Sequence, residues 1–178
     1  MKTTTLMIAA VAALGACAGS PMMMKVDNAS LPEAVRVPAG QKVMMATTGV
    51  GEITYECREK KDTAGQYEWA FVGPVATLYS GDKKRVGKYY AGPTWEAADG
   101  SRVTGKQVAI APASPGNIPL QLVRADPAMG AGAMTGVSYI QRLNTKGGVA
   151  PAMACDAMGK GNRQVVAYEA DYVFYATM

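Results

Sequence analysis

The chain has 178 residues, with 18 basic and 14 acidic side chains, and its net charge of +4 is too small for a nucleic-acid footprint. It contains no histidine, which excludes Ser-His-Asp and Cys-His nucleophilic systems and most zinc and copper sites. With 18% charged residues, 20 glycines and 10 prolines, against about a quarter charged in an average domain, the composition is that of a loop-rich, ordered, extracytoplasmic protein.

At the N-terminus, Lys2 is soon followed by nine apolar residues, Leu6 to Leu14, and then by Gly15-Ala16-Cys17. A short basic start, an apolar run and small residues before a cleavage point predict an export signal over residues 1–16. Nine residues at about 1.5 Å rise each cannot cross a hydrocarbon layer of about 30 Å, so the run is not a transmembrane helix. Two cleavages compete for the same residues. Leu14-Gly15-Ala16-Cys17 matches a lipobox, in which Cys17 is lipidated and becomes the new N-terminus. Ala16-Cys17-Ala18 also fits ordinary signal peptidase, which would discard Cys17 and leave a soluble periplasmic or secreted protein. Thiols are scarce in exported chains, and this one stands where a lipobox needs it, so a membrane partner through a lipid anchor is expected. Ala18, rather than Asp, after the lipidated residue favours the outer membrane of the cell envelope, facing the periplasm or the cell surface.

Residues 17–35 read as a tether, with Ser20-Pro21, Met22 to Met24, Asn28-Ala29-Ser30 and Pro32. From residue 36 to 178 the apolar period is two. Ile53, Tyr55 and Cys57 alternate with Glu52, Thr54, Glu56 and Arg58; Tyr67, Trp69 and Phe71 repeat the pattern. Short apolar runs at Val75–Tyr79, Val108–Ala111, Leu120–Val123 and Val137–Leu143 supply further strands. Val166, Tyr168, Ala170, Tyr172 and Phe174 alternate in the last one. Turn signals separate them: Gly81-Asp82, Asp99-Gly100, Pro115-Gly116-Asn117 and Gly147-Gly148. No segment gives a long amphipathic helix. The expected fold is one all-β domain, an antiparallel sandwich or barrel.

Either cleavage leaves Cys57 and Cys155 as an even pair in an oxidising compartment, which predicts one disulfide between them. The bridge would tie the first alternating strand to the loop before the last one.

A set of ordered motifs carries a family resemblance. Gly51-Glu52-Ile53-Thr54-Tyr55-Glu56-Cys57, Tyr67-Glu68-Trp69, and Ala91-Gly92-Pro93-Thr94-Trp95-Glu96 with Asp99-Gly100-Ser101 form its first half. Gln141-Arg142-Leu143-Asn144-Thr145, Gly147-Gly148, Pro151, Cys155 and Tyr168-Glu169-Ala170-Asp171-Tyr172-Val173-Phe174-Tyr175 form its second. Over roughly residues 36–177 the chain resembles the exported bacterial and fungal family known as domain of unknown function 3455. The resemblance implies no particular activity. The chain departs from the family pattern at Tyr89, where a histidine is usual, and at Leu120, where a tryptophan is usual.

Other candidate chemistries are weaker than their bland readings. No serine lies in a Gly-x-Ser-x-Gly elbow. Gly130-Ala131-Gly132 with Gly136 is spaced too widely for a dinucleotide loop and reads as a flexible surface loop. Met129 with Met134, and Met153 with Met158, read as adaptable filler rather than copper ligands. No metal or cofactor is therefore expected. Lys83-Lys84-Arg85 with Lys88 reads as a solvated turn, with anionic lipid the alternative partner. Glu96 with Asp99, or Glu169 with Asp171, could in principle serve a hydrolase of envelope glycans, which needs two carboxyls about 5 to 9.5 Å apart.

The site expected from sequence is a ligand-binding surface of Tyr89, Tyr90, Trp95 and Glu96, with a ring to stack on a sugar or polar ligand and a carboxylate to accept its hydrogen bonds. The competing reading makes Trp95 a core anchor. The functional expectation is a non-catalytic envelope protein that binds a glycan, another envelope ligand or a partner; the alternative is the glycan hydrolase.

Overall fold

The computed structural model describes residues 26–178, and Cys17 and the expected export signal lie outside them. Eight strands follow one another: β1 Gln41–Glu59, β2 Tyr67–Tyr79, β3 Arg85–Tyr90, β4 Thr94–Ala97, β5 Arg102–Ala111, β6 Leu120–Ala125, β7 Val137–Gly147 and β8 Arg163–Thr177. Each pairs antiparallel with its neighbour, and β8 returns to β1, so the sheet closes as an up-and-down barrel. Of the two architectures expected, the barrel is the one formed. Closure leaves no edge strand exposed. β1, 19 residues long, carries much of it, pairing with β8 from Gln41 to Glu56 and with β2 from Thr48 to Glu59.

The interior is filled by alternate residues of every strand: Ile53, Ala76, Leu78, Tyr89, Trp95, Val103, Val123, Ile140, Tyr168, Tyr172 and Phe174 are all buried in one cluster. At its centre Tyr89 stacks on Trp95 with ring centroids 4.8 Å apart, and Tyr172 lies 5.0 Å from Tyr89. This aromatic column plugs the lumen. It is also why β1 carries Gly49, since a Cβ there would stand 2.6 Å from the Tyr172 ring.

β8 departs from simple alternation. Tyr172, Val173, Phe174 and Tyr175 are all buried, because both faces of the wall are covered there. Tyr172 and Phe174 face the lumen, whereas Val173 and Tyr175 join Leu122, Leu143 and Ala111 in a second cluster on the outside. The cover is the N-terminal segment. Two 3-10 turns, Asn28–Ser30 and Glu33–Val35, lay Val26, Leu31, Val35 and Val37 on that outer face. The later half of the stretch expected to act as a tether is thus a strap packed on the barrel, and the earlier half lies outside the described residues.

Gln141, fully buried on β7, fastens the strap. Its side-chain amide donates to the Val35 carbonyl at 2.6 Å and to Asn28 Oδ1 at 3.2 Å, and its Oε1 accepts from the Tyr175 hydroxyl at 2.6 Å. Burial pushes the Tyr175 phenol up to about 12, so the hydroxyl stays a donor at neutral pH. Gln141→Leu would leave the Val35 carbonyl and the Tyr175 hydroxyl buried without partners, at about 1–3 kcal/mol for each group. Urea unfolding should show a loss of at least about 2 kcal/mol, with faster proteolysis within residues 26–37. An unchanged midpoint would mean the strap is held by its apolar contacts alone.

Candidate functional site

The four residues expected to form one surface are divided by the barrel wall. Successive residues in a strand face opposite sides, and β3 and β4 pair Tyr89 with Trp95 and Lys88 with Glu96. Tyr89 and Trp95 therefore face the lumen, where Trp95 is a core anchor with 1% exposure. Tyr90 and Glu96 lie on the outer face. There the Tyr90 hydroxyl donates to Glu96 Oε2 at 2.8 Å, and Lys88 Nζ approaches Oε1 at 3.1 Å. The Tyr90 donor and Lys88 together hold the Glu96 carboxyl below its usual range.

The other carboxylates singled out are similarly engaged. Asp99 accepts from the Ser101 hydroxyl and backbone amide and from the Ala133 amide, which caps the loop between β6 and β7. Glu169 pairs with Lys146 at 2.6 Å, and Asp171 accepts from Thr48 and Asn144. Both stand on the outer face of β8, opposite in parity to the buried Tyr168, Ala170 and Tyr172. Met134 is buried in the core, whereas Met158 is exposed.

The barrel has two ends. Strand register places Gln41 and Thr177 together at one of them. The opposite, distal end carries the β1–β2, β3–β4, β5–β6 and β7–β8 connections. Two loops close part of this distal mouth. Cys57, on the lumen side of β1, is bridged to Cys155 of the 148–162 loop, with Cα atoms 5.5 Å apart. Tyr55 donates its hydroxyl to the Gly148 carbonyl at 2.8 Å, and Trp69 Nε1 donates to the Met153 carbonyl at 2.9 Å. From the other side, the β5–β6 loop folds Ile118 into the core, held by the Thr145 hydroxyl on the Ile118 carbonyl.

Between these covers the mouth stays open as a cavity of about 390 Å³ lined by Phe71, Pro74, Tyr89, Gly92, Pro93, Gly105, Gln107, Gln121 and Arg142. Its floor is the top of the aromatic column. Arg142 follows Gln141 on β7 and pairs with Gln121 across to β6, two positions beyond the buried Ile140. This parity turns the guanidinium inward, within electrostatic reach of Tyr55, Tyr89, Tyr168 and Tyr172. Nε and Nη2 both donate to the Pro119 carbonyl, at 3.2 and 2.9 Å. Of the five N–H groups an arginine carries, three are left. Among the described residues no carboxylate forms an ion pair with it.

The mouth has other unused polar capacity. Gln121 donates its amide to Gln107 Oε1 at 2.7 Å, which leaves the Gln107 amide N–H groups and the Gln121 carbonyl turned to the opening. The Tyr89 hydroxyl makes no hydrogen bond among the described residues, and burial raises its pKa against the opposing pull of Arg142. It is therefore a neutral donor at the floor. Arg142 is the only charged residue in the lining.

The family model described as "Protein of unknown function (DUF3455)" matches residues 38–176. The chain belongs to this family. The match begins just after the strap, ahead of β1, and ends one residue short of the end of β8, so the DUF3455 domain is the whole barrel. No curated protein and no solved structure matches the chain. The two positions at which the sequence is expected to depart from the family pattern fall in different places: Tyr89 at the floor of the mouth, Leu120 beside the strap on the outer cluster.

Arg142 went unnoticed as a site residue because it sits inside a motif that reads simply as strand. The signal was present nonetheless. Counting by twos from Ile140 gives a charged side chain the parity of the core.

Proposed function

We propose that this DUF3455 protein is an exported, lipid-anchored cell-envelope protein whose barrel is a non-catalytic binding domain, with its ligand held in the distal mouth. The observation that carries the binding reading is Arg142: an inward-facing guanidinium with no carboxylate partner, set in an open cavity above a plugged lumen. Arg142 is half-buried in the cavity wall, and its two bonds to the Pro119 carbonyl leave three N–H groups and its charge without a partner among the described residues, an arrangement that suits a group arriving from outside. The classes of ligand that fit are a glycan and a small envelope ligand with an anionic or polar group.

The anchor rests on Leu14-Gly15-Ala16-Cys17. Acyl chains on Cys17 would hold the protein at the membrane, since each buried CH₂ adds about 0.8 kcal/mol and stable anchoring takes more than one chain. In cells fed labelled palmitate the mature protein should carry the label, and Cys17→Ala should release it to the soluble fraction. Unlabelled protein beginning at Gly19 would instead establish plain secretion. The binding reading is tested by complementation: a deletion strain is profiled for sensitivity to detergents, oxidants, metals and glycan-targeting antibiotics. Arg142→Gln should fail to restore it, while Glu96→Gln on the outer face should succeed. Full rescue by an Arg142→Gln protein present at normal abundance would remove the mouth as the working site.

A further inference from the structure

We infer that the distal mouth is a carboxylate site. It takes a small monoanionic acid whose carboxylate pairs with Arg142 and whose apolar or aromatic body lies against Phe71, Pro74 and Pro93. This rests on the reading of the mouth as a binding site and adds the chemistry of what is bound. The lining carries one positive charge and no negative one. Among anions, one guanidinium balances one carboxylate; a phosphate dianion would bring a second charge into a cavity with no second cation. Among the described residues Nη1 has no acceptor and Nη2 has one N–H to spare, so the fork can grip the two oxygens of a planar carboxylate side by side. The Tyr89 hydroxyl and the Gln107 amide add neutral donors, suited to an oxygen-rich head group rather than a cation.

The remaining surface selects the rest of the molecule. Phe71 is 58% exposed although it lies on the lumen side of β2, opposite Tyr55. Its ring stands nearly perpendicular to that of Tyr55 at 6.1 Å and lines the cavity with much of its surface uncovered. A large apolar side chain left in water at the edge of a cavity gains from covering. Pro74 and Pro93 continue this apolar wall, and Gly92 and Gly105 keep the entrance free of side chains. At about 390 Å³ the cavity falls at the small end of the usual range for small-molecule sites, about 300–1,000 Å³. The plugged lumen prevents a long chain from threading deeper.

The test uses the purified lipoprotein in a non-ionic detergent, titrated with benzoate, with neutral benzamide and with inorganic phosphate. Binding is followed by calorimetry and by NMR of the Arg142 Nε–H and the Phe71 and Tyr89 rings. Benzoate should move these signals, with benzamide and phosphate weaker by about tenfold or more, since a hydrogen bond to a charged group contributes about 1.5–3 kcal/mol. Arg142→Gln should reduce benzoate affinity by a similar factor. Because that change also removes bonds to Pro119, Gln107→Glu provides the second variant. It alters an exposed side chain, leaves Arg142 in place and should weaken benzoate equally by giving the guanidinium an internal counter-ion. Benzamide bound as tightly as benzoate would overturn the carboxylate assignment and leave the mouth a binding site. Mouth signals that respond to none of the three, nor to a panel of neutral sugars, would overturn the binding reading together with it.

Discussion

Reducing the Cys57–Cys155 bridge, or replacing both residues by alanine, should cost the fold about 4.7 kcal/mol in the chain-entropy model, because the bonded residues lie 98 positions apart. Removing it frees a long stretch of the unfolded chain while leaving the folded barrel closed by β1–β8 pairing. Such a loss is a large part of the 5–15 kcal/mol that holds a typical domain together. Urea unfolding with and without a reductant gives the number directly. A difference under about 1 kcal/mol would show that the denatured chain is already restrained by other contacts. The effect should be local as well as global. The 148–162 loop is also held by Tyr55 and Trp69 through its carbonyls at Gly148 and Met153, so hydrogen exchange should rise first around Cys155. Residues near Gly148, buttressed by Ile118, should change least.

The strands that announced themselves in the sequence are those with one wet face and one dry one. The distal half of β1 and the middle of β8 alternate cleanly and were legible; the start of β2 alternates in sequence, although Phe71 on its lumen side is left 58% exposed. The first half of β1 was not legible, because its lumen-facing positions are Thr47, Gly49 and Gly51 rather than apolar residues. Glycine is there to let Tyr172 lie against the wall, a requirement set by a residue more than a hundred positions away. β3 and β4 were obscured differently. They are six and four residues long, and their outward residues Lys88 and Glu96 make the segment resemble a charged turn. The strap was hidden by its prolines and by 3-10 turns, which give apolar residues no regular spacing.

The candidate site was legible in part for the same reasons. Tyr89 was singled out and does line the mouth, but its sequence neighbours Tyr90 and Glu96 belong to the opposite side of the wall. Parity separates Tyr89 from Tyr90 in the sequence, but the sides taken by Trp95 and Glu96 are set by the pairing of β4 with β3. Arg142, Gln107 and Gln121 come from three different strands and meet only when the sheet closes. No local motif marks such a meeting. What local reading offers is narrower: a charged residue at a position that strand periodicity assigns to the core.

Trp95→Ala is expected to destabilise the barrel by about 3–5 kcal/mol, the usual range for emptying a buried aromatic site. The indole is 1% exposed, stacked on Tyr89 and edge-on to Tyr172 and Phe174 at 5.8 and 6.4 Å. Its Nε1 has no hydrogen-bond partner among the described residues, so the ring is retained for its shape and area rather than for its polar atom. Trp95→Phe should therefore cost clearly less than alanine, because it keeps most of the buried aromatic area and opens a smaller cavity. The pair separates a packing role from a polar one: if phenylalanine proves as damaging as alanine, the indole N–H is bonded in solution, to water or to a ligand. Binding should follow the ring as well. Tyr89 rests on Trp95 and forms the floor of the mouth, so the alanine variant should lose benzoate even where it remains folded, while the phenylalanine variant keeps it. Glu96→Gln, one residue along and on the other side of the wall, should leave both benzoate binding and the unfolding midpoint essentially unchanged. A Trp95→Ala protein that melts like the parent would place the indole at the surface and return the site to the one first read from the sequence.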